Sequence, residues 1–151
     1  MIALLPGSFD PPHLGHLDAI RRLARLVEVL WLGVGVNPAK QSMLPAERRI
    51  ALLSQLTADL PNVRIEAYSG ATVHFARLKG ITILVRGIRA ASEAEHEQAM
   101  ALVHRGLGLE TLFMLSDPAL VHVSSSTVRM VRAAGLPLDG LVPPLVIEAL
   151  R

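Results

Sequence analysis

His13 and His16 close a run that reads Gly7-Ser8-Phe9-Asp10-Pro11-Pro12-His13-Leu14-Gly15-His16. The i, i+3 spacing places both imidazoles on one face of a first helical turn. The start of a helix leaves amide N–H groups without intrahelical partners and carries partial positive charge, and both suit a phosphate. Imidazole N–H groups beside it can donate to phosphate oxygens whose negative charge grows in a transition state. Gly15 lets backbone or ligand approach closely. A bare His-x-x-His is equally a capped helix with two partly exposed histidines, and His-Glu-x-x-His, the zinc-protease pattern, is absent. The dense run around the pair makes phosphate chemistry the reading.

Three more clusters follow apolar runs. Lys40 ends Asn37-Pro38-Ala39-Lys40, and it is one of only two lysines among 15 basic residues. A flexible ammonium in that place can neutralise a phosphate as a point charge. Arg86-Gly87-Ile88-Arg89 sets two guanidiniums about a glycine, a plausible phosphate clamp. Ser124-Ser125-Ser126-Thr127 opens a helix; one serine suffices as a cap, and the others can offer hydroxyl and amide groups to phosphate. Glu93, Glu95 and Glu97 flank His96 on a helix that reads as a solvated face, with Glu97 close enough to reach the site. His74, His104 and His122 read as packing or surface residues.

Several other chemistries are excluded. Gly33-Val34-Gly35 is not a dinucleotide fingerprint, because Pro38 occupies the place of the third glycine. Neither a Walker A pattern nor a Gly-x-Ser-x-Gly elbow occurs. With no cysteine there is no disulfide, thiolate zinc site or thiol nucleophile.

The elements that must carry these clusters alternate. Apolar, often β-branched runs at residues 2–5, 27–36, 63–67, 81–85 and 111–115 read as strands. Between and after them, helices are predicted from Leu14 onward and over 47–58, 71–78, 90–105, 124–134 and 143–150, with Pro45 as the first helical position of the second. The alternation implies one α/β domain over residues 1–151, Rossmann-like, with a five-stranded parallel sheet and helices on both faces. Such sheets bind ligands beyond the carboxyl ends of their strands, which is where the four clusters fall.

Composition narrows the partners. At 151 residues and 51% hydrophobic, the chain can bury a core and is not disordered. A net charge of +2 and 3% aromatic residues argue against nucleic acid, duplex or single-stranded. No apolar run reaches membrane-spanning length, so a cytoplasmic protein without a membrane partner is expected.

The sequence resembles the nucleotidyltransferase superfamily with the HxGH-type signature and, over nearly its whole length, the bacterial phosphopantetheine adenylyltransferases. The matching pieces are residues 6–11, Gly15-His16, Asn37 to Lys40, Glu47-Arg48, Phe75-Ala76-Arg77, Arg86 to Arg89, Glu97 and Val123 to Ser126. The resemblance implies transfer of AMP from ATP to 4′-phosphopantetheine, giving dephospho-CoA and pyrophosphate, with Mg²⁺ carried by ATP and no dedicated protein ligand set. It implies catalytic roles for His16, Lys40 and Arg86. ATP would be bound by Ser8, Phe9, His13, His16, Gly87, Ile88, Arg89, Glu97, Leu120, Ser124, Ser125 and Ser126. The acceptor would meet Ser8, Lys40, Thr72, Val73 and Arg86. A homohexamer is implied as well.

The chain departs from the family at His13, where many members carry another polar residue, and at Leu120, where an aromatic is common. Residues 72–76 read Thr-Val-His-Phe-Ala instead of ending Asn-Phe-Ala. Pro11-Pro12-His13-Leu14-Gly15-His16 also suits nicotinate mononucleotide adenylyltransferases, the alternative acceptor. An alternative of another class is a nucleotide-binding regulator without catalysis.

Overall fold

In a computed structural model covering residues 1–151, five strands form one parallel sheet: β1 (Ile2–Gly7), β2 (Val29–Gly35), β3 (Val63–Tyr68), β4 (Ile83–Ile88) and β5 (Glu110–Leu115). The helices are α1 (Leu14–Ala24), α2 (Ala46–Leu56), α3 (Thr72–Leu78), α4 (Ala91–Gly106), α5 (Ser125–Ala133) and α6 (Pro144–Ala149). The strand order is β3-β2-β1-β4-β5. The chain therefore winds outward from β1 to β3, crosses back over the sheet through α3, and resumes on the other side of β1. The reversal point lies between β1 and β4, where this class of sheet holds its ligands. No helix is long and apolar enough to cross a membrane.

Alternation along β1 feeds two cores. Ala3 and Leu5 join Ile20 and Leu23 of α1 and Leu53 of α2 on one face, while Leu4 joins Val73 and Phe75 of α3 and Leu84 on the other. A third cluster, with Leu52, Val128, Val142 and Val146, fastens α5 and α6 to α2. By contrast α4 buries no residue, and the edge strand β5 leaves Leu112, Phe113 and Leu115 exposed.

Several boundaries differ from the sequence reading; β4, expected over residues 81–85, spans Ile83–Ile88, so Arg86 and Gly87 lie within the strand and Arg89 follows it. β1 continues past Leu5 through Pro6 and Gly7, which pair with Gly33 and Val34 of β2. Its pairing with β4 stops earlier, at Leu4 against Leu84, so proline stands where the ladder is already one-sided. Pro45 is the N-cap of α2 rather than its first helical residue. The N-cap of α5 is Ser124, whose side chain accepts from the Thr127 amide at 3.0 Å.

Gly33 is explained by space. A Cβ there would stand 3.0 Å from Leu4 Cδ1 and 3.0 Å from Tyr68 Cε1, with Leu4 fully buried. Gly33→Ala is expected to destabilise the fold by about 1–3 kcal/mol through overpacking; a denaturant midpoint equal to the wild type would contradict this.

Candidate active site

Beyond Gly7 the chain turns sharply. Phe9 takes a φ of 48°, in the left-handed region that a bulky residue rarely occupies, and its ring is buried under the turn. That ring lies 4.8 Å from the ring of His16. His13 is the N-cap of α1, and its Nδ1 accepts from the His16 amide at 3.2 Å. In return the His13 amide donates to His16 Nδ1 at 3.3 Å, closing a capping box in which both side chains are imidazoles. The two rings stack with centroids 3.5 Å apart.

This arrangement sets the protons. A ring nitrogen that accepts carries none, so each neutral imidazole keeps its hydrogen on Nε2, which becomes a donor. Burial, with help from the charge of Arg89, pulls His13 down to about 4. Burial first, and then the charges of His13 and Arg89, pull His16 well below the usual histidine range. Near neutral pH the start of α1 therefore presents uncharged imidazole N–H donors, not imidazolium ions. His13 is buried, against the expectation of two partly exposed rings, while His16 is half-buried.

Three cavities open around this turn. The first lies between the carboxyl ends of β1 and β4 and is lined by Gly7, Phe9, His13, His16, Arg86, Gly87, Arg89, Leu120, Val123 and Ser124. The buried side chain of Ile88 does not line it. The second, about 520 Å³, is lined almost entirely by polar and charged residues and brings Ser8 and Lys40 together with Asp10, Arg49, Ser125, Ser126 and Arg129. The third runs under α4 and is half apolar, with Thr72, Val73, Met100, Val103 and Leu107 beside Arg86 and Glu97. Arg86 borders both the first and the third.

Both arginines of the β4 clamp are held. Glu97 takes two hydrogen bonds from Arg86, at 3.0 and 2.7 Å, and Arg86 Nη1 also donates to the Pro6 carbonyl at 3.4 Å. Glu93 accepts from the Arg89 guanidinium and, at 2.7 Å, from the Arg89 amide. Burial raises the Glu93 carboxyl, but these donors outweigh it and leave it below its ordinary value. Glu93 and Glu97 are thus ion-pair partners rather than a solvated face, whereas Glu95 is exposed. Their spacing of four residues on a predicted helix was the available signal.

Three residues of the polar cavity were missed from sequence. Asp10, 3% exposed, accepts from the amides of Met43 and Leu44, each at 2.8 Å, and pairs with Arg129. Arg49, 4% exposed, donates only to backbone carbonyls, those of Leu44, Ser8 and Gly35. Only the proximity of Asp10 to the histidine run could have marked it; nothing in the pattern around Arg49 or Arg129 separates them from other arginines.

Comparison with known proteins gives a consistent picture. A family model described as cytidylyltransferase-like matches residues 4–131. The phosphopantetheine adenylyltransferase of Clavibacter michiganensis subsp. michiganensis is 47% identical over 154 residues, spanning 99% of this chain and 94% of that protein. That of Streptomyces coelicolor is 42% identical over 149 residues, spanning 98% and 94%. That of Synechococcus sp. is 45% identical over 153 residues, spanning 100% and 96%. Among solved structures, a Vibrio parahaemolyticus protein provisionally called a nicotinate-nucleotide adenylyltransferase has a TM-score of 0.68 at 20% identity, covering 99% of this chain and 97% of that one. That last likeness concerns the fold.

The buried histidines tie stability to pH. An unfolded chain protonates His13 near 6.5, while the native state resists until about 4, so the unfolded state binds more protons in that window. Stability is therefore expected to fall as pH drops from 6.5 toward 4, by about 3 kcal/mol for His13, with His16 adding in the same direction. Denaturant melts across that range check it: His13→Asn should flatten the curve, and a variant curve parallel to the wild type would contradict the linkage.

Proposed function

This chain belongs to the cytidylyltransferase-like family and, within it, to the phosphopantetheine adenylyltransferases, and from that premise we propose how its residues carry out the transfer. The reaction moves AMP from ATP to 4′-phosphopantetheine, yielding dephospho-CoA and pyrophosphate. An oxygen of the acceptor's phosphate attacks the α-phosphorus of ATP. The bond from that phosphorus to the bridging oxygen of pyrophosphate breaks, and pyrophosphate leaves with the electron pair. No protein nucleophile is required, so the protein contributes position and charge.

The observation that best supports this reading is the grouping of a crevice of about 270 Å³ at the start of α1, a cationic cavity and a half-apolar channel around one turn of chain, with Arg86 at the border of crevice and channel. In the crevice His16 Nε2–H would donate to a non-bridging oxygen of the α-phosphate as its charge grows, with His13 beside it. Phe9, Gly87, Arg89, Glu97, Leu120 and Ser124 would hold ATP, with only the backbone of Ile88 available to it and with Ser125 and Ser126 on its phosphates. Lys40 and Arg86 would hold the acceptor's phosphate, and Ser8 would touch both substrates. The channel past Thr72 and Val73 suits the acceptor's aliphatic, amide-bearing arm.

A divalent ion would arrive on the phosphates of ATP. The carboxylates lining these cavities, Asp10 and Glu97, are already engaged by guanidinium and amide donors, as is Glu93 beside Arg89. Copies of the chain would assemble, as a homohexamer in the cytoplasm, through the uncovered apolar surface of α4 and β5. Met100, Leu102 and Val103 are 51–55% exposed there, and Leu115 is 69% exposed. Covering such a surface would remove an aggregation liability.

Pyrophosphate release from ATP is expected with 4′-phosphopantetheine and not with nicotinate mononucleotide. Turnover confined to the latter would overturn the acceptor, and nucleotide binding without turnover on any phosphorylated acceptor would support a regulator instead. His16→Ala is expected to lower kcat by about 10²-fold or more, and near-normal kcat would remove it from the transition state. Lys40→Ala should raise the KM for phosphopantetheine while leaving the Kd for ATP nearly unchanged; equal loss of both would deny that division of labour.

A further inference from the structure

Lys40 sits on an exposed stretch of chain between the end of β2 and the start of α2, yet a phosphate-holding ammonium must be presented in one place. Inside that stretch the Asn37 carbonyl accepts from the Lys40 amide at 3.0 Å, and the Asn37 side chain accepts from the Ala39 amide at 2.9 Å. These bonds shape a turn but do not fasten it to the sheet. Its far end is packed through Leu44, and the polar fastening comes from two buried charged side chains, Asp10 and Arg49.

Asp10 and Arg49 grip the same short segment from opposite chemical sides. The carboxylate takes the Met43 and Leu44 N–H groups, each at 2.8 Å, and the guanidinium Nε gives a hydrogen bond to the Leu44 carbonyl at 3.0 Å. From its other end Arg49 Nη1 reaches the Ser8 carbonyl and, at 3.3 Å, the Gly35 carbonyl. One side chain of α2 thus joins the exit of β1, the exit of β2 and the far end of the Lys40 segment. Asp10 ties the same segment to α5 through Arg129.

Neither group is costed as an ordinary surface interaction. A guanidinium that is 4% exposed and meets only neutral carbonyls is an expensive choice for bracing a loop. Its planar fork, however, can serve three carbonyls at fixed angles, which an ammonium cannot. It also leaves an uncancelled positive charge in the wall of the cavity that holds Ser8 and Lys40. Leu44 and Met43 also pack into the cluster of Leu52 and Val128, but without this grip no hydrogen bond would set the path of the chain before them, and binding of a phosphate would have to order it.

We propose that Arg49 and Asp10 are positioning residues for the transfer reaction, acting through segment 37–44 to present Lys40 to the acceptor's phosphate. They need touch neither substrate. The kinetic part of the test rests on the adenylyl-transfer reading; the hydrogen-exchange part does not, so the two can fail separately.

The experiment uses the full chain with Arg49→Lys, Asp10→Asn, Lys40→Ala and the Arg49→Lys/Lys40→Ala double variant. In Arg49→Lys and Asp10→Asn, the Met43 and Leu44 amides should exchange at least about tenfold faster than in the wild type, with β1 and β2 amides unchanged. Arg49→Lys should raise the KM for phosphopantetheine by about tenfold while kcat changes by less than about threefold, and in the Lys40→Ala background it should add less than about twofold. Unchanged exchange of the two amides overturns the proposal, and so does an Arg49→Lys penalty that is absent or equally large with and without Lys40. Should Arg49→Lys not fold, exchange in Asp10→Asn decides.

Discussion

The parting of β1 from β4 is the constraint on which the rest depends. The two strands pair only at Ala3 with Ile83 and Leu4 with Leu84, whereas β1 stays paired with β2 through Gly7. Beyond Leu4 the carboxyl ends separate and leave a gap. Into it run the turn from Gly7 to His13, the start of α1 and the guanidinium of Arg86. A sheet that paired fully along this seam would have no crevice. The reversal of strand order there is what allows one, since no crossover helix has to cover the opening.

Charge around that opening is distributed unevenly. On the β4 side each arginine already has a carboxylate: Arg86 has Glu97 and Arg89 has Glu93. A phosphate entering there exchanges one anion for another. On the β2 side Lys40 is exposed and Arg49 is buried against carbonyls, so positive charge is not cancelled within the protein. The histidines between the two sides stay neutral. The site is therefore graded, from paired cations through uncharged donors to unpaired cations, over a few residues of chain.

Much of this was legible in the sequence because it depends on local pattern. Five apolar runs, each followed by glycine, proline or polar residues, announce the strands, and their alternation with amphipathic segments announces a parallel sheet. The clusters around His16, Lys40, Arg86 and Ser124 were visible because each follows an apolar run. Other features were hidden for physical reasons. Pro6 looks like a stop, but a strand paired on one side tolerates it. Glu93 looks solvated until β4 is placed beside α4. Most partners of Asp10 and Arg49 lie 14 to 119 residues away, and they are mostly backbone atoms, whose positions leave no trace in residue type.

The neutral, doubly capped imidazoles bear on which molecule governs the acid side of the reaction. A free imidazole would gain a proton near 6.5, but His13 resists until about 4 and His16 is displaced in the same direction. Over the mildly acidic range the enzyme's donors keep one ionisation state. The second ionisation of a phosphate monoester, by contrast, lies at about 6. The groups that change charge as the medium acidifies are then the phosphates of the substrates, the acceptor's and the terminal one of ATP. A decline in rate on that side would report the ionisation of the substrate phosphates rather than that of a histidine.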